Sequence, residues 1–243
     1  MEQFFNKILK FDKINSTNEY GLANIESIPD RALILSDIQT EGHGRFDRKW
    51  QSCNCNNLYF SIILKPAKQD YLSNFTQYMS VVIAKTIEKY EITPNIKWPN
   101  DVRIKDKKIA GILAKSALKQ GKIAGIVLGV GINLNSTKKE LQEIDQPATS
   151  LNIETGKNID KYEFLANLSK EFFLNYEEFQ KKGFLLIKPS YEHYFGFFNK
   201  EIAVKNLSEI KKGTVIEIND DGTLCLLDNW KNIIKITIGD ILC

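Results

Sequence analysis

The segments KIAGILAKSAL (residues 108–118) and KIAGIVLGVGINLN (residues 122–135) decide the fold of this chain. Both are apolar runs with several β-branched residues, a composition that is typical of buried strands. The connection between them, residues 119–121, contains Gly121 and is short enough to join antiparallel neighbours. The two segments therefore predict a β-hairpin in a largely antiparallel sheet.

Further strands are predicted on both sides of this hairpin. Their apolar segments lie at residues 7–14, 32–37, 57–64, 95–98 and 102–105. After the first of these strands, Ser16 and Glu19 have the S-x-x-E spacing of a capping box. This spacing predicts a helix that extends to about Ile25.

Two longer helices and a change of pattern near the C-terminus complete the predicted organisation. Apolar residues recur at helical spacing over residues 73–90, and again from about residue 160 to residue 182, before Gly183. Beyond the aromatic stretch at residues 191–198, short strands alternate with Asn- and Asp-containing turns. We therefore predict an α+β chain with two domains: residues 1–195 form a mixed, largely antiparallel sheet packed with helices, and residues 196–243 form a small β-barrel.

The bulk composition excludes several classes of protein. The chain has 243 residues and a formal net charge of +3, and so small a charge does not indicate a nucleic-acid-binding surface. No stretch approaches the roughly 18 apolar residues of a membrane span, and the four cysteines are too unevenly spaced for a disulfide framework. We expect a cytoplasmic protein with reduced thiols and no membrane or DNA partner.

The sequence EGHGRFDRKW, residues 41–50, is the first candidate functional segment and is called the arginine loop below. Gly42 and Gly44 permit close backbone approach, while Arg45, Arg48 and Lys49 concentrate positive charge. Such a loop suits an anionic ligand such as a triphosphate. A solvated basic loop is the alternative, and the loop lacks the third glycine of a dinucleotide-binding fingerprint.

The segment KWPND (residues 97–101) and Lys108 are the second candidate group. The proline and the residues after it turn the chain sharply, so Asn100 and Asp101 would project where a metal, a ribose or an amine could bind. Lys108 precedes a small apolar run, and its ammonium could neutralise a carboxylate and a phosphate together. A plain turn and a lysine at a strand end that extends into solvent are the structural alternatives.

An ordered set of motifs resembles the biotin protein ligase family over nearly the whole chain. The motifs are S-T-N at residues 16–18, Gln39 with the arginine loop, N-L-Y at residues 57–59, KWPND at residues 97–101, KIAG at residues 108–111, GVGIN at residues 129–133 and ATSL at residues 148–151. The resemblance implies a biotin/lipoate ligase-like catalytic domain followed by a small SH3-like β-barrel. It also identifies a short form, without the DNA-binding domain that precedes the catalytic domain in some members.

The resemblance further implies a two-step reaction that uses ATP and biotin as substrates with Mg²⁺. Biotin and ATP form biotinyl-5′-AMP and pyrophosphate, and the biotinyl group then passes to a lysine of a biotin carboxyl carrier protein of acetyl-CoA carboxylase or a related carboxylase. Members of the family commonly dimerise, so a homodimer is a further expectation.

The resemblance assigns roles to individual residues. It gives catalytic roles to Lys108, Arg45, Arg48 and Asp101. Arg45 and Arg48 would bind the phosphates of ATP, and Lys108 would lie between the biotin carboxylate and the phosphate. Biotin would be held by Ser16, Thr17, Gln39 and the backbone of Gly42, His43 and Gly44. Trp50 and Asn133 would border adenine, and Asn100 and Asp101 would lie near metal or ribose. The remaining substrate-binding positions are Asn18, Tyr59, Gly111, Gly129 and Gly131.

Two departures from the family pattern concern the arginine loop. His43 stands where the family usually has arginine, so an ionic role there is weakened to a partly protonated side chain near neutral pH. The segment SCNCNN (residues 52–57) brings Cys53 and Cys55 close to the loop. Together with His43 they suggest a zinc site, although three candidate ligands with irregular spacing match structural zinc sites poorly.

Three other functions stay open at this stage. A lipoate ligase shares the chemistry, but the R-R-x-x-G-G-G loop of that branch is missing from the sequence. A transcriptional repressor of this family would need an N-terminal winged helix, whereas this sequence begins at the first catalytic strand. A non-catalytic sensor of biotinyl-adenylate would be expected to have lost Lys108 or the loop arginines, and all three residues are present.

Overall fold

A computed structural model of the chain describes residues 2–52, 54–66, 70–206 and 209–242, except for the side chain of Asp47. Seven strands form the larger sheet, in the spatial order β1-β2-β3-β7-β6-β5-β4. They are β1 (Lys7–Ile14), β2 (Ala32–Gln39), β3 (Leu58–Leu64), β4 (Pro94–Lys97), β5 (Asp101–Ile104), β6 (Lys107–Lys119) and β7 (Lys122–Ile132). Only β1 and β2 pair in parallel, which confirms the largely antiparallel sheet.

The hairpin predicted from the sequence is formed by β6 and β7 at the centre of this sheet. Its loop consists of Gln120 and Gly121, which both have positive φ, at 48° and 75°. Paired positive φ angles match the right-handed twist of the flanking strands, and this explains a two-residue connection. Gly111 and Gly131 lie directly opposite each other in the hairpin register.

Helix α1 (Thr17–Ala23) carries the chain between the two parallel strands. The Ser16 hydroxyl accepts a hydrogen bond from the backbone N–H of Glu19 at 3.4 Å, which is one half of the predicted capping box. The Glu19 carboxylate instead accepts a hydrogen bond from Lys115 Nζ at 2.6 Å. This contact with β6 replaces the second hydrogen bond of the capping box, which the Glu19 side chain would accept from the Ser16 backbone. The helix ends at Ala23, two residues earlier than expected.

The remaining helices differ from the prediction mainly in the second half of the chain. Helix α2 (Phe75–Glu88) agrees with it, and two short helices, α3 (Lys138–Gln142) and α4 (Leu151–Thr155), were not predicted because five residues are too few for a periodic pattern. The long helix expected at residues 160–182 is two helices, α5 (Lys161–Leu174) and α6 (Tyr176–Lys182). None of the helices in the described ranges is long and apolar enough to span a membrane.

Helix α7 (Phe184–Tyr194) follows directly and includes part of the aromatic stretch. Its internal Pro189 weakens the helical signal in the sequence. Tyr191 is fully buried, and Tyr194 is nearly so. The aromatic residues here thus belong to the core.

The two faces of the large sheet are covered differently, and this difference creates the site. On one face, Leu128, Val130 and Ile132 of β7 pack into the main core together with residues of α2, α5 and α7. On the other face, Val127 belongs to a smaller cluster beneath α1, while Gly129 and Gly131 continue the same row without side chains. Space is therefore left above β6 and β7.

Five short strands form a second, antiparallel sheet near the C-terminus, in the order β11-β10-β9-β8-β12. They are β8 (Glu201–Lys205), β9 (Ile210–Ile218), β10 (Leu224–Leu227), β11 (Ile233–Ile236) and β12 (Asp240–Leu242). The arrangement is consistent with the expected SH3-like domain.

The second sheet is attached to the first part of the chain by polar contacts as well as apolar ones. The carbonyl of Gly222 accepts hydrogen bonds from Trp98 Nε1 at 3.0 Å and from Gln77 Nε2 at 2.8 Å. Lys188 of α7 pairs with Asp220 at 2.7 Å. Buried residues of both sheets also share one hydrophobic cluster, so the second sheet has a fixed position beside the first.

Candidate functional site

Three glycines form the floor of a cleft on the side of the sheet that carries α1. A Cβ added at Gly129 would lie 2.3 Å from Asn18 Nδ2, and one at Gly131 would lie 2.3 Å from Trp50 Cε2. At Gly111 it would lie 2.8 Å from Trp50 Cζ3. Each distance is shorter than a van der Waals contact, so glycine is required for Asn18 and Trp50 to lie against the strands.

The cleft brings together most of the residues that the sequence predicted. The predicted residues that line it are Ser16, Thr17, Asn18, Gln39, His43, Gly44, Arg45, Arg48, Trp50, Asn100, Asp101, Lys108, Gly111, Gly129 and Gly131. Lys49, Ile112, Leu113, Val130, Gln146 and Asp240 complete the lining. Segments that are far apart in the sequence therefore face one space.

A polar network lies at one end of the cleft, where α1 begins. Gln39 Oε1 accepts hydrogen bonds from the backbone N–H of Thr17 at 2.8 Å and from its hydroxyl at 3.1 Å. The Thr17 hydroxyl also lies 2.9 Å from the hydroxyl of Ser61, and Gln39 Nε2 donates to Ser52 Oγ at 3.0 Å. These contacts hold the Gln39 amide in one orientation.

The arginine loop is folded back on itself rather than extended into solvent. Gly44 N–H donates to the carbonyl of Arg48 at 2.6 Å, and Trp50 N–H donates to the carbonyl of Gly42 at 2.8 Å. A Cβ at Gly42 would lie only 2.5 Å from the Trp50 carbonyl oxygen, so a side chain there would open the loop. This folding argues against the alternative of a plain solvated basic loop.

Both loop arginines bind the same carboxylate. Arg45 Nη1 lies 2.8 Å from Asp240 Oδ1, and Arg48 Nη1 lies 2.9 Å from Asp240 Oδ2. Arg45 Nη1 also donates to Asn100 Oδ1 at 3.2 Å and to the carbonyl of Gly239 at 3.1 Å. Burial lowers the pKa of Arg45, although the nearby carboxylates of Asp240 and Asp101 oppose that shift. The loop cations are thus held at the cleft by the C-terminal sheet.

Lys108 lines the cleft beside the KWPND turn. Its Nζ lies 2.8 Å from Asp101 Oδ1, and the two side chains are only 15% and 16% exposed. The same ammonium lies 5.4 Å from the centre of the Trp50 ring, which is within range of a cation–π contact. Backbone hydrogen bonds to Pro147 and Thr149 anchor the main chain of the residue, and the ion pair with Asp101 orients its ammonium.

Three polar atoms at the cleft are buried and have no hydrogen-bond partner in the described part of the chain. They are Asn18 Oδ1, Trp50 Nε1 and Asp240 Oδ2, of which only Asp240 Oδ2 lies within ion-pair distance of a cation, 2.9 Å from Arg48 Nη1. A buried polar group without a partner costs about 1–3 kcal/mol, and a ligand that supplies the partner would recover that free energy. Asn18 Oδ1 and Trp50 Nε1 therefore leave one acceptor and one donor available to a bound molecule.

Three predicted residues do not line the cleft. Gly42 lies behind it, beneath the Trp50 carbonyl. Tyr59 is buried, and its hydroxyl accepts a hydrogen bond from Asn57 Nδ2 at 3.2 Å. Asn133 is buried as well, and its Nδ2 donates to the carbonyl of Thr149 at 3.2 Å. These residues support the wall of the cleft, and direct substrate contact by them stays a prediction.

Sequence reasoning missed Asp240, which lines the cleft and contacts both loop arginines. It belongs to the short strand β12, about 190 residues after the arginine loop, and no motif of the family resemblance includes it. The one available signal was an acidic residue in the GDIL segment, where the neighbouring residues are apolar. Its partners could be found only from the structure.

The zinc hypothesis receives no support. Cys53 lies outside the described residues, while Cys55 is exposed and has a free thiol. Within the described ranges, no group of three His, Cys, Asp or Glu side chains is arranged to hold a metal ion.

Comparisons with known proteins agree with this geometry. The model of the biotin/lipoate A/B protein ligase family matches residues 10–133. The chain is 32% identical to the bifunctional ligase/repressor BirA of Bacillus spizizenii over 95% of this chain and 72% of that protein. It is 24% identical to a biotin–[acetyl-CoA-carboxylase] ligase of Paracoccus denitrificans, over 88% of this chain and 91% of that one.

A solved structure shows the same architecture. The biotin protein ligase from Aquifex aeolicus in complex with biotin and ATP superposes with a TM-score of 0.86 at 27% identity, over 98% of both chains. The matched segment of about half the chain and the identity to BirA confirm the family recognised from the ordered motifs. The chain therefore belongs to the biotin/lipoate A/B protein ligase family.

Proposed function

We propose that this chain is an ATP-dependent biotin protein ligase. The observation that carries the proposal is the convergence of Lys108, Arg45 and Arg48 on one glycine-floored cleft. Three cations around a partly buried space suit a reaction between a carboxylate and a triphosphate, because both reactants are anionic. The similar protein from Aquifex aeolicus, which was solved with biotin and ATP, supports the same choice of substrates.

The proposed reaction has two steps. In the first, a carboxylate oxygen of biotin attacks the α-phosphorus of ATP, the bond to the β-phosphate oxygen breaks, and pyrophosphate leaves with its electron pair. In the second, the amine of an acceptor lysine attacks the acyl carbon of biotinyl-5′-AMP. The bond between acyl carbon and phosphate oxygen breaks, AMP leaves, and the amine loses a proton.

In the first step, Lys108 would lie between the biotin carboxylate and the α-phosphate. Two anions must approach each other there, and a desolvated ammonium reduces their repulsion far more than it would in water. Asp101 keeps Lys108 in position before the substrates bind. Arg45 and Arg48 would bind the phosphates through their planar N–H groups.

Biotin would lie toward the polar network at the beginning of α1. Ser16, Thr17 and Gln39 offer donors and acceptors for its ring and carboxylate, and Asn18 Oδ1 is a buried acceptor without a partner. Adenine would lie on the side of Trp50, whose indole N–H also lacks a partner.

A magnesium ion is expected to accompany ATP. Mg²⁺ is usually held by one or two carboxylates together with the substrate phosphates rather than by a protein cage. The oxygen donors that would hold it are Asp101 and Asn100. When bound, the ion would neutralise part of the phosphate charge.

The acceptor would be a lysine of a biotin carboxyl carrier protein of acetyl-CoA carboxylase or a related carboxylase. The relative from Paracoccus denitrificans, a biotin–[acetyl-CoA-carboxylase] ligase, supports this class of partner. Because the acyl-adenylate reacts with water and with any amine, it must stay enclosed until the carrier arrives. The folded arginine loop is the element that would enclose it.

The test is incubation of the protein with biotin, Mg²⁺-ATP and an apo carrier domain, followed by a streptavidin blot. We expect labelling of the carrier that needs ATP and persists when lipoate is added in excess. A carrier variant with arginine in place of the acceptor lysine is the control. Complete absence of biotin labelling would overturn the proposal, and a carrier whose mass increases by a lipoyl group instead, as measured by mass spectrometry, would identify a lipoate ligase.

A further inference from the structure

We propose that Asp240 is a positioning residue that keeps the arginine loop closed over the cleft and thereby retains the acyl-adenylate. This inference rests on the proposed function, because it concerns the intermediate of that reaction. It assigns to the C-terminal sheet a role in the interval between the two half-reactions.

The first argument is the geometry of the carboxylate. Asp240 offers one oxygen to each arginine of the loop, at 2.8 Å to Arg45 and 2.9 Å to Arg48. Its side chain is 12% exposed, whereas that of Arg48 is 58% exposed. The contact with Arg45 is a charge-assisted hydrogen bond, whereas the contact with Arg48 is an ion pair without hydrogen-bond geometry. The loop therefore has its anchor outside its own segment.

The second argument is the rigidity of this anchor. Asp240 begins β12 and pairs with Lys205 of β8 in the second sheet. Its neighbour Gly239 has a φ of 149°, and a Cβ there would lie 2.7 Å from Val204 Cγ1. Gly239 thus packs closely against β8 and presents its carbonyl to Arg45 at 3.1 Å. The beginning of β12 therefore supplies two hydrogen-bond acceptors to the arginine loop, the Asp240 carboxylate and the Gly239 carbonyl.

The third argument concerns the charge balance during the reaction. The arginines repel each other, since the charge of Arg48 contributes to lowering the pKa of Arg45. A bound triphosphate offers anionic oxygens to both arginines. Its β- and γ-phosphates then leave as pyrophosphate, and only the α-phosphate remains on the adenylate. Asp101 is paired with Lys108, whereas Asp240 contacts both arginines and can pair with them again at that moment. The loop then stays closed while the reactive anhydride waits for the carrier.

The test is the variant Asp240→Asn in the full chain, which removes the charge and keeps the shape. The protein is given Mg²⁺-ATP and biotin with an apo carrier domain and a bystander protein, serum albumin. The measured quantity is the ratio of albumin labelling to carrier labelling. We expect this ratio to rise about tenfold, as for the loss of one charge-assisted contact. The ratio does not depend on how much of the enzyme is folded.

Two variants serve as references. Asp220→Asn removes an ion pair with Lys188 that also joins the second sheet to the rest of the chain but lies away from the cleft, so its ratio should match that of the unmodified protein. Asp240→Glu restores the charge and should recover most of the selectivity. An unchanged ratio for Asp240→Asn, even with lower total labelling, would show a merely structural role and overturn the inference.

A second measurement separates this inference from the proposed function. Amide hydrogen exchange of residues 43–50 in the protein without substrates should be faster in Asp240→Asn than in Asp220→Asn, because closure by Asp240 precedes any reaction. If the unmodified protein forms no biotinyl-adenylate, the proposed function is wrong. Hydrogen exchange of residues 43–50 still tests whether Asp240 keeps the arginine loop closed. Equal exchange in the two variants would overturn closure by Asp240.

Discussion

Lys108 Nζ lies 2.8 Å from Asp101 Oδ1, and both side chains are largely buried beside the Trp50 ring. A cation in such a site is desolvated and fixed before substrates bind, so little reorganisation is needed when two anions meet there. The pair joins the KWPND turn to the beginning of β6, two segments that the sequence could link only by resemblance. Its carboxylate also keeps the cation from being buried alone.

The first prediction concerns this cation. Lys108→Ala should slow formation of biotinyl-5′-AMP by ~10²-fold or more, because the repulsion between carboxylate and phosphate is no longer compensated. Pyrophosphate release measures the rate, and circular dichroism measures the fold. Lys119→Ala, which removes an exposed ion pair with Glu26 at the far end of the same strand, should leave the rate unchanged. A full rate in Lys108→Ala would exclude the proposed role.

The second prediction concerns the arginine that seals the loop. Arg45→Gly removes the contacts with Asn100, Gly239 and Asp240 together, so adenylate should escape and acylate lysines indiscriminately. Mass spectrometry of a protein mixture should then detect biotin on many bystander lysines. If the variant still labels only the carrier domain, the loop does not retain the intermediate.

The third prediction concerns the glycine floor. In Gly131→Ala the added methyl group would meet the Trp50 indole at 2.3 Å, so the ring must move and the Michaelis constant for ATP should rise. Crowding of this kind typically costs about 1–3 kcal/mol of stability, measurable by urea unfolding. Gly196→Ala is the matched control, because its Cβ would be 3.8 Å from the nearest atom. Equal kinetics for the two variants would contradict close packing of Trp50 on β7.

The fourth prediction concerns acid stability in the C-terminal sheet. Burial alone would raise the pKa of Asp221, but hydrogen bonds from Lys235 and Thr223 outweigh it and lower the pKa from 3.8 to about 2. A carboxyl whose pKa is depressed by folding stabilises the protein above its unfolded pKa, and that stabilisation disappears as the pH falls from about 4 to about 2.

The variant Asp221→Asn tests this linkage. At neutral pH it should be less stable than the unmodified protein by under about 1 kcal/mol, because the pair with Lys235 is half exposed and screened by solvent. The difference should shrink as the pH falls toward about 2. Urea unfolding across this range measures it, and a difference independent of pH would show that Asp221 acts without its charge.

Much of the fold could be predicted because its strands are local features. The β6–β7 hairpin, the strands before it and α2 each have an apolar pattern that their own residues determine. The break between α5 and α6 and the existence of α7 could not be predicted in this way. The apolar stripe continues from Phe172 through Tyr176 across the non-helical Asn175, so the stripe does not indicate the break, and Tyr191 is helical because it packs into the core.

The sequence by itself determined the family and most of the cleft residues, because the ordered motifs carry the side chains that the chemistry needs at fixed spacings. It left the arginine loop as a segment with excess positive charge and no partner. Only the tertiary structure decided that the loop is folded and that Asp240 of β12 binds both of its arginines. Contacts across about 190 residues depend on how the second sheet packs against the first, and no local pattern encodes that packing.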